Sequence, residues 1–137
     1  MTASSGTRAP RLQNRRLPLL ALIGGATGAV VNVAIALMGA AVQVAQPGTT
    51  VLQDLPLPAV IAASIIPAFV AAAVLWVLGR FIKAPIQIFQ IIAGVIALMS
   101  LFSPFSLPVS LGSQLTLCAM HIVAALTITL ALSRAKA

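Results

Sequence analysis

The sequence lacks most of the groups that catalysis uses. It contains no glutamate and no tyrosine, one aspartate, one histidine and one cysteine. A single carboxylate, Asp54, cannot supply an acid/base pair, and one cysteine excludes an internal disulfide or a CxxC pair. Cys118 and His121 are too few to complete a metal site, and no nucleophile or phosphate-binding motif is present. These absences predict a non-catalytic protein with no cofactor and no bound metal.

Charge of either sign is also scarce. Charged residues make up 7% of the 137-residue chain and hydrophobic residues 61%, and the mean hydropathy is +1.13. A soluble domain of this size needs more polar surface to cover itself, because charged residues are seldom buried. The composition therefore predicts a chain whose main partner is membrane lipid.

Four apolar stretches are long enough to cross a bilayer, which takes about 20 residues as a helix. The expected spans are about 19–42, 58–79, 85–102 and 111–132, within a transmembrane domain of residues 17–133. The loop with the Pro47-Gly48 pair separates the first two spans, and Pro104 and Pro108 interrupt the chain before the last one. The sequence thus predicts an all-α membrane protein, built as a four-transmembrane-helix bundle.

The positive charges are confined to three segments. All eight Lys and Arg residues lie in the N-terminal tail 1–16, in the turn 80–84 or in the C-terminal tail 134–137. Four crossings place these segments on one side, and the positive-inside rule makes that side cytoplasmic. Both termini are therefore expected in the cytoplasm, with residues 1–16 as a disordered basic tail. No basic surface carries interleaved aromatics, so nucleic acid is not an expected partner.

The first apolar stretch is also open to interpretation as a signal peptide. A basic segment precedes it, and small residues around positions 40–45 offer a cleavage site. Signal peptides have apolar regions of about 7–15 residues, and this stretch is longer. We therefore expect the first helix to be retained in the mature protein.

Small residues recur every three or four positions in the first span and define what we call the small face. They are Gly25, Gly28, Asn32, Ala36 and Gly39. Such a face lets another helix approach closely, and Asn32 can add an interhelical hydrogen bond. Structural packing is the favoured interpretation over a ligand site.

A second group of residues is expected at a common depth, roughly 18–22 Å from the cytoplasmic ends of the helices at 1.5 Å per residue. This candidate polar cluster contains Asn32, Ser64, Pro67 and His121. An ionisable residue inside the membrane is a functional hypothesis by default. A neutral imidazole also serves as a hydrogen-bonding strut between helices, which is the favoured role over a proton relay or ligand contact.

The second half of the chain has a recognisable pattern. From about Phe89, a third helix is followed by a Ser-Pro…Leu-Pro break and a last helix with Met120-His121 and small apolar residues. This resembles an uncharacterised family of small four-helix bacterial membrane proteins, a domain of unknown function. The resemblance implies a bacterial, multi-pass plasma-membrane protein and transfers no activity.

Two functions remain open at this point. The first is a non-catalytic scaffold or accessory subunit, whose small faces pack against another copy or against a larger membrane complex. The alternative is a small transporter or channel with a polar constriction at the level of Asn32 and His121.

Overall fold

Four long apolar helices dominate the computed structural model, which describes residues 12–39, 42–45 and 51–136. Each is long and apolar enough to cross a membrane, which confirms the predicted class of an all-α, four-helix, multi-pass membrane protein. The elements in chain order are α1 (Leu17–Met38), β1 (Gln43–Ala45), β2 (Leu52–Asp54), α2 (Leu57–Phe81), α3 (Pro85–Ser100), α4 (Phe102–Phe105) and α5 (Leu111–Leu132).

Local chemistry explains where the helices begin. Proline lies in the first turn of α1, α2 and α3, where its missing N–H would have no intrahelical partner. Helix α5 begins after Ser110, whose hydroxyl oxygen accepts a hydrogen bond from the Ser113 amide at 3.2 Å. This is a standard N-cap.

The connection between α1 and α2 differs from the prediction of a plain loop. Helix α1 ends at Met38 rather than near residue 42, because Gly39 is already extended (φ −74°, ψ 149°). Strands β1 and β2 then pair antiparallel, with Gln43 opposite Asp54. The Leu55 amide extends the pairing by donating to the Val42 carbonyl at 2.8 Å. The hairpin therefore covers one end of the bundle.

The opposite end joins the two termini. Residues 12–16 were predicted to belong to a disordered tail, whereas the structure places a 3₁₀ helix at Asn14–Arg16. The Gln13 amide donates to the Ala135 carbonyl at 2.9 Å, and Leu12 forms a β-bridge with Lys136. The tail thus begins to fold several residues earlier than its charge suggested, and residues 1–11 lie outside the described part of the chain.

Helix α1 is the central helix of the bundle. It packs along both α2 and α5, whereas α3 makes sparser contacts with α2 and α5. One buried cluster, around Leu17, Leu75, Phe89 and Leu132, fills the end that carries the termini. A second cluster around Val60 and Met120 lies towards the hairpin.

The break before the last helix is less abrupt than predicted. Helix α3 ends at Ser100, and after one turn residue the short helix α4 carries Pro104, which is buried. The chain is then irregular up to α5, and Gln114 Nε2 donates to the Leu107 carbonyl at 3.1 Å across the connection. The connection therefore packs on the bundle through the buried Pro104 and through Leu107, which contacts the same buried cluster as Val42 beside the hairpin.

Candidate functional site

The small face of α1 packs against other helices of the same chain. A Cβ built on Gly25 would lie 3.1 Å from the Cα of Ile65 and 3.1 Å from the Cβ of Ala68, both on α2. One built on Gly28 would lie 2.8 Å from Thr127 Oγ1 on α5. Such distances leave no room for a side chain without local movement. Gly25 and Gly28 therefore bring α1 close to two different helices.

Gly24 is a third position of close approach, which the predicted small face does not include. A Cβ there would lie 2.9 Å from the Cβ of Ala131 and 3.1 Å from the Cα of Ile128. Gly24 faces α5 while its neighbour Gly25 faces α2, so the glycine pair seats α1 between its two partners. The sequence contained a signal for this arrangement, namely the adjacent pair Gly24-Gly25. A pattern that follows one face of a helix includes only one member of such a pair, so the small face contained Gly25 and left out Gly24.

The remaining members of the small face lie nearer the hairpin. Asn32 is buried, whereas Ala36 and Gly39 are half-buried. A Cβ on Gly39 would make ordinary contacts, 3.5 Å from Val42 Cγ2 and 3.8 Å from Thr116 Cγ2. The closest glycine contacts of α1 are therefore at Gly24, Gly25 and Gly28, whereas Gly39 makes ordinary ones.

Asn32 joins three helices at one point. Its side-chain amide Nδ2 donates to Ser64 Oγ on α2 at 3.1 Å and to the Met120 carbonyl on α5 at 3.2 Å. Ser64 in turn donates to the carbonyl of Val60 at 2.9 Å. Asn32 and Ser64 are 3% and 1% exposed, so both hydrogen bonds are shielded from lipid and water.

The other end of the Asn32 amide is unsatisfied. Its Oδ1 is buried and has no hydrogen-bond partner among the described residues. A buried acceptor without a partner costs free energy, about 1–3 kcal/mol. The amide therefore contributes two interhelical bonds through nitrogen and leaves its oxygen as a free acceptor within the bundle.

His121 and Pro67 do not join this network. His121 is half-buried, and its Nδ1 lies 2.8 Å from the carbonyl of Leu117 on its own helix. That bond does not make the imidazole a strut between helices. Pro67 lies in α2 with its side chain exposed. Of the four residues in the predicted polar cluster, the structure brings Asn32 and Ser64 into contact.

No grouping of metal ligands accompanies these residues. Among the described residues there is no set of three His, Cys, Asp or Glu side chains positioned to hold an ion. The Cys118 thiol lies 3.8 Å from the Leu101 carbonyl, in the packing between α5 and the preceding connection. Asp54 is exposed in β2, at the hairpin end of the bundle.

Helix α3 presents the least covered surface. The third spanning segment, Pro85–Phe105, runs through α3 and α4, and 11% of the residues in its most apolar stretch are buried, against 28–33% in the other three spans. Gln87, Gln90 and Gly94 recur at helical spacing and are all exposed, and a Cβ on Gly94 would meet nothing within 4 Å. Gln90 Nε2 donates to Ser133 Oγ at 2.9 Å. We call this exposed surface, Gln87, Gln90 and Gly94, the α3 face.

A groove lies between α1 and α2 at the end that carries the termini. Its volume is about 400 Å³. The residues that line it are Asn14, Leu17, Pro18, Phe69, Ala72, Ala73 and Trp76. The Arg80 guanidinium covers the Trp76 ring, 4.0 Å from its centroid. An apolar channel thus opens beside a cation, at the basic end of the bundle.

The chain belongs to the DUF6069 family, which is described as a family of unknown function and whose model matches residues 8–137. This confirms the predicted membership of an uncharacterised family. No curated protein and no solved structure matches the chain.

Proposed function

We propose that this member of the DUF6069 family is a non-catalytic integral membrane subunit that self-associates through its α3 face. The observation that carries the proposal is the exposure of Gly94 in a spanning helix that is far less covered than its neighbours. A glycine at such a place lets another helix approach closely, and small residues are enriched at membrane helix interfaces for this reason.

The chemistry of the α3 face supports a second copy as the partner. A two-fold contact requires a surface that is complementary to itself. The glutamine side-chain amide carries both donors and an acceptor, so Gln87 in one copy can pair with glutamine in the other. Exposed amides near lipid are costly when unpaired, and an interface of this kind would cover them.

The residues that could act chemically support a non-catalytic role. Asp54 is the one carboxylate in the chain and lies in the exposed hairpin, whereas His121 lies within α5 with Nδ1 against a main-chain carbonyl. An acid/base pair needs the two groups in reach of one substrate. The alternative function is a small transporter or channel with a constriction at the level of Asn32. The amide nitrogen of Asn32 donates to α2 and α5, which supports a role in holding three helices together.

The location of the charges supports a plasma membrane address with the termini in the cytoplasm. Every described cation lies before α1, between Arg80 and Lys83, or after α5, and the Gln13–Ala135 hydrogen bond brings the first and last of these segments together. Basic residues concentrate on the cytoplasmic side of membrane proteins. We include the bacterial plasma membrane in the proposal on the strength of the resemblance described above.

Disulfide cross-linking between copies tests the interface. In a Cys118→Ser background, we expect Gly94→Cys to form dimers rapidly on oxidation in native membranes. Val30→Cys is the matched control, because Val30 is 70% exposed on the outer side of α1, away from the α3 face. Equal cross-linking at both positions, or none at Gly94→Cys, would contradict the proposed interface.

A second variant separates self-association from a role in a larger complex. Gly94→Leu places a side chain where a Cβ would meet no other atom of the chain within 4 Å. The melting temperature of the monomer should therefore be retained. Overpacking costs about 1–3 kcal/mol, which would raise the dimer dissociation constant about 5- to 150-fold. Loss of a stoichiometric co-purifying protein, with no change in self-association, would assign the α3 face to a different subunit.

A further inference from the structure

The groove between α1 and α2 combines an apolar channel with positive charge at its mouth. Leu17, Phe69 and Ala73 give it apolar walls over about two turns of α2, the helix that carries Phe69 to Trp76. A volume of about 400 Å³ accommodates an extended hydrocarbon segment rather than a single methyl group. The walls alone would accept any acyl chain, so selectivity depends on what lies at the open end.

Two sources of positive charge meet at that end. Arg80 lies over Trp76, one turn beyond it on α2, and the planar guanidinium can bind a phosphate through two parallel N–H bonds. On the other wall, Asn14 lines the groove, and the exposed Arg15 and Arg16 follow it directly. The groove therefore has one cation on α2 and two in the turn that leads into α1.

The start of α1 adds to this potential. The helix has no side-chain cap and no acidic residue in its first turn. The amide groups at a helix N-terminus carry a partial positive charge that attracts anions, phosphate in particular. Leu17 and Pro18, the first residues of α1, line the groove. The Leu17 amide donates to the Asn14 carbonyl and proline has no N–H, so this end of the helix contributes its dipole to the opening rather than a direct hydrogen bond.

We infer that this groove is a binding site for an anionic glycerophospholipid. One acyl chain lies along the channel between α1 and α2, and the headgroup phosphate lies between Arg80 and the Asn14–Arg16 turn. A zwitterionic lipid carries the same chains, but its trimethylammonium or ammonium group adds positive charge to an opening that is already basic. The site therefore distinguishes lipids by headgroup charge, which is the usual basis of recognition by basic pockets between membrane helices.

The position of Trp76 makes the site directly measurable. It is the one tryptophan in the chain, it lines the groove and it stacks against Arg80. Bromine atoms on an acyl chain quench tryptophan fluorescence on contact. Reconstituting the intact protein in mixed vesicles, with brominated chains on either phosphatidylglycerol or phosphatidylcholine, measures the relative occupancy of the groove by each lipid.

We expect phosphatidylglycerol to be preferred about fivefold or more, the ratio that corresponds to about 1 kcal/mol for one basic residue at the membrane surface. Arg80→Gln should reduce this ratio towards one. Arg134→Gln removes the same charge from the same end of the protein, but Arg134 follows α5, which contributes no residue to the groove. Its ratio should remain that of the wild type.

A steric variant tests the channel independently of charge. Ala73 is exposed and lines the groove, so Ala73→Leu should exclude the acyl chain and weaken quenching by both lipids. Ala119→Leu makes the same change at an exposed position on α5 and should leave quenching unchanged. Equal quenching by both lipids in the wild type would overturn the site, as would equal losses in Arg80→Gln and Arg134→Gln. Absence of quenching by either lipid would show that protein, not lipid, covers the groove.

Discussion

The glycine pair of α1 yields the sharpest test of the packing. Gly24→Ala adds one methyl group at a point where it would lie 2.9 Å from the Cβ of Ala131 and 3.1 Å from the Cα of Ile128. Gly112→Ala is the matched control, because a Cβ at Gly112 would come no nearer than 3.9 Å, to Ser110 Oγ. The chemical change is identical, so the comparison isolates the close contact between α1 and α5.

Two opposing terms set the magnitude. Overpacking in a well-packed core costs about 1–3 kcal/mol, and alanine in place of glycine in a helix interior gains about 0.8–1.0 kcal/mol. Gly24→Ala should therefore lower the free energy of unfolding by roughly 0–2 kcal/mol. Gly112→Ala gains the same helix-propensity term without a clash and should be stabilising by about 0.8–1.0 kcal/mol. The gap between the two variants should then be about 1–3 kcal/mol.

Reversible unfolding in mixed micelles, followed by circular dichroism, gives these free energies. A second-site change makes the assignment specific, because Ala131→Gly removes the methyl group that Gly24→Ala meets. The double variant should recover part of the loss, and the coupling of the two changes measures the contact. If Gly24→Ala is as stable as Gly112→Ala, or if Ala131→Gly gives no recovery, the close approach of α1 and α5 is wrong.

Three further predictions concern topology and the polar residues. Cysteine placed at Ser106 in a cysteine-free background should react with an impermeant reagent from outside intact cells, whereas cysteine at Ala84 should not; the reverse pattern would invert the orientation. Asn32→Leu should destabilise the protein more than Val30→Leu, by about 0.6–2 kcal/mol, because two interhelical hydrogen bonds are lost. Equal melting temperatures of the two variants would show that these bonds contribute nothing to stability. His121→Leu should insert and melt like the wild type, because its hydrogen bond stays within its own helix; a folded variant with no function would instead identify a relay or ligand group.

The spanning helices were predictable because lipid imposes a simple rule. Every main-chain polar group must be satisfied within the segment, so apolar length alone locates Leu57–Phe81 and Leu111–Leu132 within a few residues. The ends of the helices depend on weaker local forces. Gly39 adopts an extended conformation and ends α1 early, and no hydropathy pattern encodes that choice.

The polar contacts were predictable in part. Asn32 and Ser64 were placed at one depth by counting residues along antiparallel helices, and they form a hydrogen bond in the structure. Rotation about the helix axis cannot be obtained by counting. His121 and Pro67 lie at a similar expected depth but point elsewhere, because the side of α2 and α5 that faces α1 is set by the packing of Gly24 and Gly25 against them.

The central position of α1 also has a consequence for biosynthesis. Its two main partners are α2, which follows it directly, and α5, which leaves the ribosome after α2, α3 and α4. During translation α1 can pair with α2 while its second glycine surface, at Gly24, still faces lipid or the insertion machinery. Contacts between distant parts of a chain form late because closing the intervening loop carries an entropic cost. The contact between α1 and α5 therefore forms later than the contact between α1 and α2, when α5 docks on Gly24 and the Gln13 amide donates to the Ala135 carbonyl.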